Sequence, residues 1–515
     1  MRTTQCMGRS LLLAAPLALL MASGTALSNQ PGNSAAARDQ AADNCRANAP
    51  GQANCRQALK KAIGGPPHQD LEREHDQRSF QVGLTAFDAS ASGLTQDVVA
   101  ASQYYGTYDG IQGEAAYTVE IPANWNGKLV MWTRGYGGEG STLNRVVPSV
   151  PFRNTVVGAG YAWAASSYSA NFYDVRAAIE DTNKLALEFT DYLERDWGSA
   201  YEEPDQRLII GVSMGGHTAA AAVEREAIET ARYSVTYDGA APLCQAEQNQ
   251  FDWLGDYARV AQHLAGYGDA PYEDFQTYLP AILAELFQAV DGEDAWLPTP
   301  GAGERLKEVA VQLTGGERPI FRDFGYRIGT WQYAVLGTGG RDGDINGILA
   351  RNAYDNTDRS YRWTDGRMPP EERVFNAQMD RVKADRGVNP VRDDGVRWLP
   401  LVHGDFDVPV LTMHTLGDFY VPFRHQQLYR ERAKANGSQD LLVQRAIRAP
   451  SHCDFSAAEI STVISDLFAW VNEGAVPGGD EVLDPDVVAA DDYGCAFTNN
   501  LGSANRSALP ACPAN

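Results

Sequence analysis

Basic residues are scarce: 43 Lys and Arg stand against 66 Asp and Glu, a formal charge of −23. Such a surface repels phosphate, which argues against nucleic acid and anionic membranes as partners. Long apolar runs are missing as well. The stretch from Leu11 to Ala22 falls short of the roughly 20 residues a bilayer requires, and no later stretch is long and uncharged enough to span one. Histidine and cysteine are sparse, at 8 and 7. No His/Cys spacing for zinc, no phosphate-binding loop and no dinucleotide glycine pattern is present, so neither a metal nor a cofactor is expected. Asp342-Gly343-Asp344-Ile345-Asn346-Gly347 imitates the opening of a calcium loop, but Ala353 stands where that loop needs a bidentate Glu.

What is present describes a globular, exported chain. An apolar fraction of 44% with 21% charged residues suits a soluble protein, and 515 residues suffice for a core domain plus a large insertion or a second small domain. Met1-Arg2 and Arg9, then the apolar run, then Ala26-Leu27-Ser28 read as a secretory signal over residues 1–28, which implies a secreted or periplasmic location. Its removal takes Cys6 and leaves an even set of cysteines, as an oxidising compartment favours. Short separations favour pairing Cys45 with Cys55 and Cys495 with Cys512, which leaves Cys244 for Cys453.

Residues 29–80 are polar and form an N-terminal extension. From about 115 the pattern becomes strand, helix, strand. Ala115 to Pro122 alternates, Lys128 to Thr133 and Gly160 to Ala165 read as buried strands, and Val175 to Trp197 carries apolar residues at helical spacing. Leu208 to Val212 is a strand, Gly215 to Ile228 a helix and Tyr233 to Tyr237 a further strand. That alternation implies an α/β protein with a mainly parallel sheet flanked by helices. Residues 245–405 break the rhythm with helices over Phe251 to Leu264 and Tyr272 to Val290 and a Gly/Asp/Arg-rich section from 337 to 367. The β/α pattern returns at Val408 to His414, continues through Leu441 to Ile447 and ends in a helix from Ala457 to Val471. The domain reading is 81–244 and 406–475 as core, 245–405 as insertion and 476–515 as an acidic tail.

Gly211-Val212-Ser213-Met214-Gly215 fits G-x-S-x-G between a strand and a small-residue helix. Flanking glycines allow the sharp turn that exposes the Ser213 hydroxyl, with the Met214 N–H where an oxyanion would form. A serine hydroxyl needs a base, and the base needs a carboxylate to fix its tautomer. Among eight histidines, His452 lies in a short turn between a strand and the final helix. His217 is the competitor, four residues past Ser213 on a helix that points it away. Asp418, directly after the strand ending near His414, is the acid; Asp238 is the runner-up, and Asp405 and Asp407 suit loop caps better. The second oxyanion donor is expected from Arg134-Gly135-Tyr136-Gly137-Gly138, through the Tyr136 or the Gly137 N–H.

Together, Trp125-Asn126-Gly127-Lys128, the Gly135 to Gly138 loop, the Gly211 to Gly216 elbow, Gly417-Asp418 and His452-Cys453-Asp454-Phe455 resemble the secreted α/β-hydrolases. Within them the pattern is most similar to esterases in which Cys follows the catalytic His, although the preceding residue, often Gly there, is Ser451 here. The resemblance implies an α/β-hydrolase fold and acyl transfer to Ser213 from a small-molecule or polymeric ester, with residues 245–405 as a lid between the last two catalytic strands. Trp253, Phe275, Tyr278, Phe287, Trp331 and Tyr333 of that segment are candidates for a binding surface or for plain core. A Cys244 to Cys453 disulfide would tether the histidine loop. A peptidase or amidase on the same residues, and a noncatalytic binding protein, are the alternatives; oligomeric state is open.

Overall fold

The computed structural model describes residues 78–83, 100–341, 352–499 and 506–512. The segment 1–28 expected to be a secretory signal, Cys45, Cys55 and the Asp342 to Gly347 loop lie outside these. Eight strands form the central sheet: β1 (Ala101–Asp109), β2 (Glu114–Pro122), β3 (Lys128–Thr133), β4 (Ala162–Ser166), β5 (Gln206–Val212), β6 (Gly239–Leu243), β7 (Val410–Thr415) and β8 (Leu442–Ile447). Their order across the sheet is β1-β2-β4-β3-β5-β6-β7-β8. β4, β3, β5, β6, β7 and β8 run parallel, while β2 is antiparallel to both its neighbours. That order with an antiparallel second strand is the α/β-hydrolase fold.

Both faces of the sheet are covered, which is why its strands read as continuous apolar runs. Leu129, Met131 and Ile209 face one cluster, with helix α2 (Val175–Trp197) and helix α3 (Met214–Ala222). Val130, Trp132, Leu208 and Ile210 point the other way, against helix α1 (Val150–Gly158) and helix α11 (Ala457–Glu473). α2 starts with the Asp174 carboxylate accepting from the Ala177 N–H at 2.8 Å and stops at left-handed Gly198. α11 opens with a capping box between Ser456 and Glu459.

Several boundaries differ from the sequence reading. β1 carried no strand expectation. The strand expected over Tyr233 to Tyr237 is β6, at Gly239–Leu243. β6 uses small residues because α11 packs directly on it: a Cβ on Gly239 would lie 2.7 Å from Val471 Cγ2. The helix expected from Gly215 to Ile228 divides into α3 and α4 (Arg225–Thr230). The break falls at Glu224, whose buried carboxylate accepts from the Gly404 and Asp405 N–H groups at 2.8 and 2.9 Å.

Between β6 and β7 lie α5 (Gln250–Leu264), α6 (Phe275–Leu286), α7 (Ala302–Leu313), α8 (Gly329–Leu336) and α9 (Pro370–Gln378). α6 ends earlier than the expected Val290, because Phe287–Ala289 turns extended and pairs antiparallel with Trp296–Pro298. α10 (Arg424–Asn436) links β7 to β8. Among the described residues, no helix is long and apolar enough to cross a membrane.

Candidate active site

Ser213 sits between β5 and α3 at φ 58°, ψ −121°, a conformation an L-residue adopts only when its surroundings enforce it. The surroundings are visible. A Cβ on Gly211 would collide with Thr133 Oγ1 and the Gly215 carbonyl, and one on Gly215 with the Thr133 carbonyl. Both motif glycines are therefore demanded by the end of β3, and the turn they permit lifts the hydroxyl above the sheet edge.

Three side chains from three loops meet there. The Ser213 hydroxyl donates to His452 Nε2 across 2.8 Å, and His452 Nδ1–H donates to Asp418 Oδ2 across 2.6 Å. An ionised carboxylate only accepts, so its position assigns the proton to Nδ1 and leaves the Nε2 lone pair toward serine. Asp418 is fully buried, and its other oxygen accepts from the Val421 N–H at 2.8 Å. His414, also buried, donates through Nε2 to the Val421 carbonyl at 3.0 Å. Burial pushes its imidazole down to about 4, so it is a neutral neighbour of Asp418.

Cys453, next to His452, is bonded to Cys244 at the end of β6, with Cα atoms 5.4 Å apart. Cys495 and Cys512 form the second disulfide of the described residues. Cys244, His452 and Cys453 bring metal-ligand atom types together, but both sulfurs are spent in the disulfide and the imidazole is engaged by Ser213 and Asp418.

Met214 begins α3 directly after Ser213. The 134–138 loop crosses over the serine, where a Cβ on Gly135 would lie 3.3 Å from Ser213 Cβ. Tyr136 lines the cavity in front of Ser213, and Gly137 sits on the Arg134 guanidinium with no room for a Cβ. Arg134 is buried, which lowers its pKa. Its guanidinium donates to the Ser167 carbonyl at 2.7 Å, the Gly135 carbonyl at 3.0 Å and Asn171 Oδ1 at 3.2 Å, holding the loop in place. The glycines announce this loop in the sequence; nothing there announces the arginine.

The other residues weighed from sequence lie elsewhere. His217 points into the interior, with Nε2 toward the Pro400 carbonyl at 2.8 Å and Nδ1 toward the Tyr173 hydroxyl at 3.0 Å, and burial pushes it down to about 4. Asp238 is exposed at the opposite end of β6, accepting from the Arg207 N–H. Asp405 and Asp407 hold Arg225. Trp253, Phe275 and Phe287 are core, and Tyr278 stacks on Tyr267 at 5.4 Å. Tyr333 does reach the cavity, and Trp331 lies against His452 with ring centroids 5.6 Å apart.

The cavity in front of Ser213 encloses about 230 Å³. Tyr136, Tyr173, Phe251, Leu254, Tyr333 and Tyr420 make its walls, and Arg341 pairs with Glu139 at 3.1 Å among its lining residues. Of these, Tyr136 and Tyr333 are among the residues that the sequence put forward. Tyr173, Phe251 and Leu254 are not, because their chain segments converge only in the folded protein.

No family model matches the chain. It is 34% identical over 76 residues to an o-phthalyl amidase of Xanthobacter agilis, a stretch that spans 15% of this chain and 17% of the amidase. Among solved structures, feruloyl esterase B from Aspergillus oryzae superimposes with a TM-score of 0.40 at 13% identity, covering 76% of this chain and 90% of the esterase. A Pyrococcus horikoshii acylaminoacyl peptidase gives 0.34 at 10% identity, covering 79% and 46% respectively. At these scores the superpositions add nothing to the strand order, which already defines the fold.

Proposed function

We propose that the protein is an exported serine hydrolase that cleaves carboxylic esters. The unbroken chain of hydrogen bonds from Ser213 through His452 to Asp418, at a strained elbow opening on a cavity, carries this reading. Ser213 Oγ attacks the ester carbonyl carbon while His452 Nε2 takes its proton; the tetrahedral oxyanion is held by the Met214 N–H and an amide of the 135–137 loop. His452 then returns the proton to the leaving alcohol as the carbon–oxygen bond breaks. Water, activated by the same imidazole, hydrolyses the acyl-enzyme and restores Ser213. Asp418 orients the imidazole and stabilises its cation. Residues 245–405 act as the lid that supplies most of the pocket.

The cavity favours a compact acyl group. A dry cavity of about 150 Å³ holds a benzene ring, so about 230 Å³ with aromatic walls suits a single substituted ring or a short chain. The short identity to an o-phthalyl amidase makes an amide the second reading. A panel of nitrophenyl acetate, butyrate, octanoate and benzoate beside the matching anilides decides between them. The expected result is ester turnover highest for benzoate or butyrate and falling at octanoate. Anilides turned over faster than the matching esters would make the protein an amidase instead.

A further inference from the structure

A base in such a chain must face two partners at once, Nε2 to Ser213 and Nδ1 to Asp418, so rotation of its ring has to be restrained. Asp418 holds one edge of His452 and the Cys453 sulfur lies 3.3 Å from Nε2. Tyr420 lies against the ring with centroids 5.5 Å apart. A further contact comes from outside the sheet and its catalytic loops, from Trp331 on α8. Its ring meets His452 edge-on at 5.6 Å and 82°, and lies 5.0 Å from Tyr420.

Trp331 also holds the backbone turn that carries the histidine. Its indole Nε1–H donates to Ser451 Oγ at 2.9 Å, one residue before His452. The Ser451 carbonyl in turn accepts from Thr415 Oγ1 at 2.9 Å, at the end of β7. The turn is therefore clamped between the central sheet and the segment inserted between β6 and β7. α8 has a second task. Its Tyr333 and Ala334, with Gly337 and Thr338 just beyond, line the cavity in front of Ser213, so a ligand filling that cavity would touch the helix that carries Trp331.

We propose that Trp331 is a positioning residue for His452, acting through the Ser451 hydroxyl, and that α8 makes alignment of the base respond to occupation of the acyl pocket. This rests on the serine-hydrolase reading. A tryptophan ring alone would pack against many loops; an indole N–H placed on a hydroxyl adjoining the base selects one geometry of the turn. The positioning is felt after substrate is bound, so it belongs to kcat more than to KM.

The test uses the full chain and the variants Trp331→Phe, Ser451→Ala, Ser451→Thr and the double variant Trp331→Phe/Ser451→Ala, with nitrophenyl acetate and nitrophenyl benzoate. Phenylalanine keeps an aromatic ring but removes the donor together with part of the indole's contact area, so Ser451→Ala, which leaves the indole intact, isolates the hydrogen bond, and circular dichroism with thermal melting checks that each variant folds. Trp331→Phe and Ser451→Ala are each expected to lower kcat about 10-fold at little-changed KM, the scale of one well-formed hydrogen bond. The double variant should be no worse than either single, because both remove one interaction. Ser451→Thr, which keeps the hydroxyl, should restore most of kcat, and losses should be larger on benzoate, which fills the pocket. Undiminished kcat in the single variants, additive losses, losses equal on both esters, or a threonine variant as impaired as alanine would overturn the inference alone. Absence of Ser213-dependent turnover in the parent protein would overturn the hydrolase reading and this inference with it.

Discussion

Ser213→Ala lowers kcat by a factor on the order of 10⁶ for whichever ester the parent enzyme turns over, with KM little changed. The expectation follows from the geometry. Oγ is the atom His452 Nε2 faces at 2.8 Å, and no other hydroxyl among the described residues is hydrogen-bonded to that nitrogen. What remains without it is the oxyanion site and the cavity, which still bind and polarise an ester but supply no nucleophile. Stability should hold, since alanine accepts the same backbone position that serine occupies at φ 58° and deletes only an oxygen. Asp418→Asn is expected to be milder, about 10⁴-fold, because an amide in place of the carboxylate favours the wrong imidazole tautomer while leaving Ser213 in place. A steady-state series on the parent and both variants, with melting curves to verify folding, checks the order of effects.

The second large effect concerns the Cys244–Cys453 disulfide. It closes a loop of 209 residues between the end of β6 and the turn that carries the base. Loop-entropy reasoning puts the stabilisation from such a bond at about 5 kcal/mol, with strain and residual structure reducing it. Its location matters as much as its strength, because Cys453 adjoins His452 and its sulfur touches the imidazole. Cys244→Ala/Cys453→Ala is expected to lose several degrees in Tm and to lower kcat by 10-fold or more, about the cost of mispositioning a general base. Thermal melts and kinetics of the double variant, with peptide mass mapping to verify the pairing in the parent, check it. Unchanged kcat in a folded double variant would mean that Asp418, Trp331 and Tyr420 suffice to hold the ring.

How far residue order alone reached depended on where each signal is stored. Gly211 to Gly215 is a local device in which strand, glycines and helix are contiguous, so the elbow could be read directly. Asp418 and His452 each stand just past a strand, and the parallel sheet brings those carboxyl ends together. The structure accordingly places these three side chains within hydrogen-bond reach. Cys244 and Cys453 were paired by elimination among spacings, and the structure joins them. The alternation of strands and helices indicated seven of the eight strands and missed β1, and β6 was displaced because Gly239, Ala240 and Ala241 carry none of the β-branched signature that Tyr233 to Tyr237 imitates; tight packing on α11 selected smallness over propensity. The pocket was the least legible part. Phe251, Tyr173 and Tyr420 come from three distant segments, and Arg134 and Trp331 act through backbone and hydroxyl partners that leave no spacing in the chain.

The central claim is that Ser213 is an activated nucleophile, and covalent labelling tests it most directly. The folded protein is incubated with a fluorophosphonate, its intact mass is measured, and the adduct is located by peptide mapping, with Ser213→Ala and heat-denatured protein as controls. One phosphonyl group per chain on Ser213, absent from both controls, is the predicted result. A folded protein left unlabelled, or labelled at a residue other than Ser213, would contradict it and return the chain to a binding role.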